Sequence, residues 1–327
     1  MAIHPTRFIK RREFLGSVAG AAIAVLLPRY SIAAGTDVQT HTYKAVGNCA
    51  IKADVHGAEP GARKPALLNI HGGALIMGNR KGIDSTFYGE LIKRGFVVVS
   101  IDYRLAPETK LPAIIEDVQA AWKWVQEEGP KRFGIDAGRV AVSGGSAGGY
   151  LTLMTGFCVE PRPRALVPFW GYGELTTPWY AEPNDFYRRQ PLVTKQEAYA
   201  AISDQPVSDP PPKNQRGRFY LYCRQNGIWC QEVAGHDPKT ETKWFDPYCP
   251  LRNVTAKFPP THFVHGTNDT DVPYSESKNM ADKLTAAGVE HDLITVEGAG
   301  HGLSGAGPDV KKKIAIDAAA FVESCTK

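Results

Sequence analysis

Gly144-Gly145-Ser146-Ala147-Gly148-Gly149 sets one hydroxyl in a run of small residues. The run 139–143 before it reads as a strand and 150–155 after it as helix-competent, so the serine occupies a strand-to-helix turn. In that context G-x-S-x-G presents the hydroxyl at a helix N-terminus. The segment lacks the Gly-Lys-Ser/Thr of a phosphate loop and the G-x-G-x-x-G of a dinucleotide loop. A serine hydroxyl is a poor nucleophile alone, so this chemistry requires a histidine base and an acid that orients it.

Both occur downstream. His265-Gly266-Thr267-Asn268-Asp269-Thr270-Asp271-Val272-Pro273 follows an apolar run, which puts Asp269 in a loop just past a strand end. Asp271 is the rival acid. Glu297-Gly298-Ala299-Gly300-His301-Gly302 follows the next strand, and its glycines let His301 approach the serine. Upstream, His71-Gly72-Gly73-Ala74 directly follows another strand. Backbone N–H groups of Gly72 and Gly73, with that of Ala147 after the nucleophile, are candidate donors to the anionic oxygen of a tetrahedral intermediate. One such donor is worth ~3 kcal/mol of barrier lowering.

The elements that must carry these residues follow from periodicity. Strands are expected at 66–70, 96–101, 139–143, 165–170, 261–264 and 292–296. Ile114, Ile115, Val118, Ala121, Trp122 and Val125 recur at helical spacing, as do Met280, Leu284 and Ala287, and Val310, Ile314, Phe321 and Val322 mark a closing helix. Apolar strands alternating with helices imply a mostly parallel sheet covered on both faces, and the region 38–55 around Gly47-Asn48 reads as an antiparallel hairpin leading into it. The fold class is α/β.

The stretch of about 172–250 breaks this alternation. It holds Pro210-Pro211-Pro212, many aromatic residues and little periodicity beyond positions 219–222. A structureless loop of that length is out of place in a compact domain, so the segment is expected to pack as a cap. Trp170, Tyr172 and Glu174, at a strand's C-terminal end, are the expected substrate contacts.

The chain has 327 residues, a formal charge of +4 and 43% hydrophobic residues, values of an ordinary globular protein. Residues 1–33 hold five basic side chains against one acid, and the remaining 33 basic and 33 acidic groups cancel. No basic run follows, so nucleic acid is excluded as a partner. Lys10-Arg11-Arg12-Glu13-Phe14-Leu15, an apolar stretch through Leu27 and Ser31-Ile32-Ala33-Ala34 have the order of an export leader. It resembles bacterial twin-arginine signals, which implies a periplasmic or secreted protein cleaved after Ala33 or Ala34. The apolar run is too short for a permanent anchor. Residues 1–34 are therefore expected to be the leader and 35–327 the working domain.

An exported location permits disulfides, and a bridge from Cys223 to Cys230 or Cys249 is one expectation. Neither Cys-x-x-Cys nor His-Glu-x-x-His occurs, so no metal site is expected, and the serine chemistry needs no cofactor.

The order Ser146, Asp269, His301 is that of α/β-hydrolases and differs from the chymotrypsin-like and subtilisin-like orders. Asp102-Tyr103-Arg104-Leu105-Ala106-Pro107-Glu108 resembles the block of hormone-sensitive-lipase-like carboxylesterases, with Ala74 in place of the usual third glycine of His-Gly-Gly-Gly. The segment from His265 to Pro273 is similar to prolyl-oligopeptidase-type and feruloyl or acetylxylan esterase sequences. The resemblance, over roughly 45–322, implies an α/β-hydrolase fold with a cap and a serine carboxylesterase acting on short-chain, carbohydrate or phenolic esters. The same resemblance implies that the 102–108 block supports the sheet edge and the oxyanion loop and has no catalytic role. The rival expectations are a prolyl-oligopeptidase-like serine peptidase on short peptides and an inactive hydrolase-fold binding protein. Oligomeric state is not legible in the sequence.

Overall fold

The structure, a computed structural model, describes residues 38–211 and 216–327 and the backbone of 7–9. The expected leader, 1–34, lies outside the described residues except for that short backbone segment.

The strands are β1 (Arg7–Ile9), β2 (Val38–Val46), β3 (Cys49–His56), β4 (Lys64–Ile70), β5 (Val97–Ile101), β6 (Ile135–Gly145), β7 (Leu166–Phe169), β8 (Thr261–Gly266) and β9 (His291–Val296). Among the described residues they form one sheet in the order β1-β9-β8-β7-β6-β4-β5-β3-β2. The hairpin β2/β3 and the β3/β5 pair are antiparallel, and the other pairs are parallel. This is the α/β architecture that the alternation of apolar strands and helices implies.

Side chains along each central strand alternate between the two faces, as a pleated strand requires. Ala66, Leu68 and Ile70 of β4, Val97, Val99 and Ile101 of β5 and Val140 and Val142 of β6 enter one core. Leu67, Val98 and Ala141 enter the other. The first core is closed by α2 (Leu111–Arg132) and α3 (Ala147–Cys158), and the second by α1 (Ser85–Lys93) and α10 (Pro308–Cys325). A further long helix, α9 (Tyr274–Ala286), packs against β8 and β9. Each fully buried Val, Leu, Ile or Phe contributes ~1.5–3 kcal/mol, so two filled faces make the sheet a rigid platform.

Start signals agree with composition. Asp84 caps α1 by accepting from the N–H groups of Thr86 and Phe87 at 2.7 and 3.1 Å. Proline stands in the first turn of α2 and of α10, where its missing N–H costs nothing.

The segment between β7 and β8 carries α4 (Pro178–Ala181), α5 (Asp185–Arg188), α6 (Lys195–Tyr199), α7 (Arg216–Asn226) and α8 (Trp229–Ala234). Phe219, Trp229 and Phe245 from this segment are buried in the same core as α2 and α3. Helix α7 extends on both sides of the periodic positions 219–222, and its Arg216 and Arg224 are each 1% exposed.

The expected disulfide is not formed. All six cysteines are free. Cys249 Sγ donates to Glu174 Oε1 at 3.1 Å, and burial raises the thiol pKa of Cys223, Cys230 and Cys249, so these sulfurs serve as packed interior groups.

Candidate active site

Three strand ends deliver the reactive side chains. Ser146 stands between β6 and α3 at φ 57°, ψ −122°, a conformation that a non-glycine residue holds only when its surroundings enforce it. Its N–H donates to Phe169 O at 2.9 Å and its carbonyl accepts from Tyr150 N at 3.0 Å, so the turn is fixed from both sides. The glycines of the motif permit that closeness. A Cβ on Gly148 would stand 2.1 Å from Ile70 O, leaving no room for any side chain where α3 crosses β4.

His301 follows β9 and Asp269 follows β8. Ser146 Oγ lies 3.0 Å from His301 Nε2, and His301 Nδ1 lies 2.8 Å from Asp269 Oδ2. The Asp269 side chain is fully buried, and its Oδ1 accepts from the N–H groups of Asp271 and Val272, each at 2.9 Å. His265 Nε2 approaches Oδ2 at 3.3 Å while standing 3.0 Å from Val272 O. Burial alone would raise the Asp269 pKa, but hydrogen bonds from His265 and His301 outweigh it and hold the carboxyl below the usual carboxylate range. Burial would lower the His301 pKa, but the charges of Asp271 and Asp269 outweigh it and the net shift is upward. An ionised Asp269 keeps the proton on Nδ1, which leaves Nε2 to accept from the serine.

The rival acid takes a different place. Asp271 Oδ2 is 3.5 Å from Nε2, on the serine side of the ring, and Asp271 makes no contact with Nδ1.

Gly72 and Gly73 lie beyond the end of β4, outside its ladder, and Ala147 is the first residue of α3, whose N–H has no intrahelical acceptor. A Cβ on Gly72 would be 3.4 Å from Ser146 Cβ, so this backbone abuts the serine. Gly73 has φ 110°, and its carbonyl accepts from Ile76 and Met77 N–H, each at 2.9 Å, which turns the loop back on itself. His71 stacks on Tyr103 at 4.2 Å between ring centres, and its Nδ1–H donates to Gly72 O at 2.7 Å. Burial pushes its pKa down to about 4, so the ring is neutral. Tyr103 OH donates to His71 O at 3.0 Å, and Trp229 Nε1 donates to Ala74 O at 3.0 Å.

The 102–108 block holds this loop in place. Asp102 accepts from Arg80 at 2.7 Å through both its N–H and its guanidinium, and Glu108 pairs with the buried Arg216 at 2.7 Å. Arg216 also donates to the carbonyls of Ile76 and Ala106, tying α7 to the loop. Nothing in the hydropathy pattern marks Arg216 as a support. Its acidic partner lies 108 positions away.

The expected substrate contacts divide. Trp170 stays at the site: its ring meets that of His301 edge-on at 6.3 Å between centres, and a Cβ on Gly145 would be 3.1 Å from its Nε1. Tyr172 and Glu174 are corrected, being 1% and 7% exposed. Tyr172 stacks on Tyr150 at 4.9 Å within the aromatic core, and Glu174 is occupied by Arg252 at 2.8 Å, by Cys249 and by the N–H groups of Leu175 and Thr176. Tyr180, Phe219, Trp229 and Phe245 of the same segment are core residues too.

The chain is 28% identical over 240 residues to the esterase LipC of Mycobacterium tuberculosis, covering 73% of this chain and 53% of LipC. It is 29% identical over 308 residues to the non-reducing polyketide synthase ausA of Emericella nidulans, covering 79% of this chain and 12% of the synthase. The chain thus spans about half of LipC and a small part of the synthase. Among solved structures it superposes on an esterase of Pyrobaculum calidifontis with a TM-score of 0.64 at 24% identity, covering 92% of this chain and 88% of that one. It also superposes on a Staphylococcus aureus protein of unknown function with a TM-score of 0.70 at 23% identity, covering 85% and 96%. Residues 67–304 match the family model described as alpha/beta hydrolase fold, well over half of the chain, and the protein belongs to that family.

Proposed function

We propose that this protein is a serine esterase that hydrolyses carboxylic esters through an acyl-enzyme. The observation that carries the reading is the continuous relay Ser146 Oγ, His301 Nε2, His301 Nδ1, Asp269 Oδ2 at 3.0 and 2.8 Å. Ser146 Oγ forms a bond to the ester carbonyl carbon while Nε2 takes its proton, and Asp269 balances the imidazolium. The N–H groups of Gly72, Gly73 and Ala147 receive the developing oxyanion. The C–O bond to the alcohol breaks, and His301 gives its proton to the departing oxygen. Water then enters by the reverse route, with His301 again as base, and releases the acid.

The relationship to LipC, whose name records an esterase, supports ester over amide bonds. Short-chain and carbohydrate or phenolic esters are the proposed substrates, with the half-buried Trp170 ring beside His301 as one wall of the site. Residues 1–34 are proposed to be a twin-arginine leader, making the working enzyme periplasmic or secreted, with an uncharged ester as partner and no nucleic acid. A panel of p-nitrophenyl esters, acetylated xylan, methyl ferulate and dipeptide amides tests the reaction class. Turnover of esters with none of amides is expected, and turnover of dipeptide amides alone would favour the peptidase reading.

A further inference from the structure

Asp271 offers one oxygen to the protein and the other to the reaction centre. Its Oδ1 accepts from Tyr187 OH at 2.8 Å, from Tyr220 OH and from Arg224 Nη1 at 2.9 Å. Three donors saturate that oxygen. Arg224 is 1% exposed and is itself walled by the rings of Trp179, Tyr187 and Tyr220, with centroids 4.9 to 5.8 Å from the guanidinium carbon. The carboxylate is therefore fixed in direction by groups from α5 and α7.

Its Oδ2 has no protein donor among the described residues. The neighbour is His301 Nε2 at 3.5 Å, which in the resting relay presents a lone pair toward Ser146. Two acceptors cannot satisfy each other. The carboxylate is oriented and its side chain is 18% exposed, so Oδ2 stands unfilled next to the nitrogen that must protonate the leaving alcohol.

Resting on the esterase reading, we infer that Asp271 Oδ2 selects esters whose alcohol carries a free hydroxyl on the carbon next to the ester-bearing carbon, that is, monoacylated vicinal diols and partly acylated sugars. The leaving oxygen must come within hydrogen-bond distance of Nε2, about 3 Å. A gauche vicinal hydroxyl then sits about one hydrogen-bond length from that oxygen and can donate to Oδ2. The hydroxyl makes and breaks no covalent bond; it orients the leaving oxygen toward the proton on Nε2. Arg224, ion-paired with Oδ1 at 2.9 Å, already supplies a cation here, which favours a neutral donor over an amine. A hydrogen bond to a charged acceptor corresponds to about 10- to 100-fold in kcat/KM.

The test compares 2-hydroxyethyl acetate, 2-methoxyethyl acetate and 2-aminoethyl acetate as substrates for the wild-type chain and for Asp271→Asn. The carboxamide keeps the shape and can still accept from the Oδ1 donors, but it turns an N–H₂ toward the site. The wild type is expected to prefer the hydroxyethyl over the methoxyethyl ester by about tenfold or more, with the aminoethyl ester below the hydroxyethyl one. Asp271→Asn should lose that preference while still hydrolysing the methoxyethyl ester. Each comparison is a ratio within one enzyme, so a general effect of the substitution on His301 cancels. Equal wild-type rates on the hydroxyethyl and methoxyethyl esters would overturn the inference whether or not the variant folds. A preference for the aminoethyl ester, or an unchanged ratio in a folded variant, would do the same. Hydrolysis of none of the three by wild type, together with inertness on the ester panel, would instead be a failure of the esterase reading.

Discussion

His301 Nε2 lies between Ser146 Oγ at 3.0 Å and Asp271 Oδ2 at 3.5 Å, so the ring is flanked by a carboxylate on each nitrogen. Despite burial, the two charges raise its pKa above the ordinary value of 6.5. The base must be neutral to act, so activity falls as pH falls through this raised value. Asp271→Asn removes one of the two charges, and the acid limb of kcat/KM should move to lower pH. A pH profile of both proteins on one activated ester checks this. An acid limb that stays in place or moves upward would contradict the electrostatic assignment.

Arg216 and Glu108 are 2% and 1% exposed at their side chains, and they join α7 to the loop that precedes α2. Breaking a buried pair by removing one partner costs about 3–5 kcal/mol, because the other charge stays buried. Urea denaturation of Arg216→Ala should show a loss of that order. Arg216→Met combined with Glu108→Leu should cost less than Arg216→Ala. A loss within about 1 kcal/mol for the single variant would mean that the pair is solvated and does not hold the loop.

Glu276 on α9 is 3% exposed and accepts from Gly173 and Glu174 N–H at 3.2 Å and from Trp179 Nε1 at 3.0 Å. Burial outweighs these donors and pushes its pKa up from 4.5 to about 7. The folded state therefore holds a proton that the unfolded chain has released, and its contribution to stability is present below pH 4.5 and is lost as pH rises toward about 7. Thermal unfolding across this window should show a decline in the wild type that flattens in Glu276→Gln. An identical slope in both proteins would remove Glu276 as its source.

Two glycines predict opposite outcomes from the same substitution. Gly148→Ala drives a methyl to within 2.1 Å of Ile70 O at the elbow, whereas a Cβ on Gly89, inside α1, meets nothing within 4 Å. The first should destabilise by at least ~1–3 kcal/mol and depress turnover. The second should stabilise by ~0.5–1 kcal/mol without touching turnover. Denaturation midpoints and ester assays on the two variants measure both, and equal effects would mean that the elbow is not tightly packed.

What was legible depended on whether a function leaves a local pattern. Ser146 sits in a motif of small residues, Asp269 and His301 each follow an apolar strand, and the six central strands alternate with helices, so the fold and the positions of the relay could be read directly. Tyr172 and Glu174 look like substrate contacts in the sequence because they follow a strand end. Their burial is decided by Tyr150, Arg252 and Cys249, which are distant in sequence. Arg216 and Arg224 look like surface residues of a polar segment, and only their partners Glu108 and Asp271 reveal otherwise. Asp271 was visible as a second acid, but its place beyond Nε2 is a matter of side-chain direction that spacing does not encode.

The central claim is that Ser146 is the nucleophile of an esterase, and labelling with a fluorophosphonate tests it most directly. Intact mass and peptide mapping of the wild type should show one phosphonyl group, on Ser146, with ester turnover falling in proportion to its incorporation. Ser146→Ala should take no label and lose kcat by roughly 10⁶-fold while keeping its fold. Label on another residue, or an unlabelled Ser146→Ala protein that retains most of its ester turnover, would contradict the account.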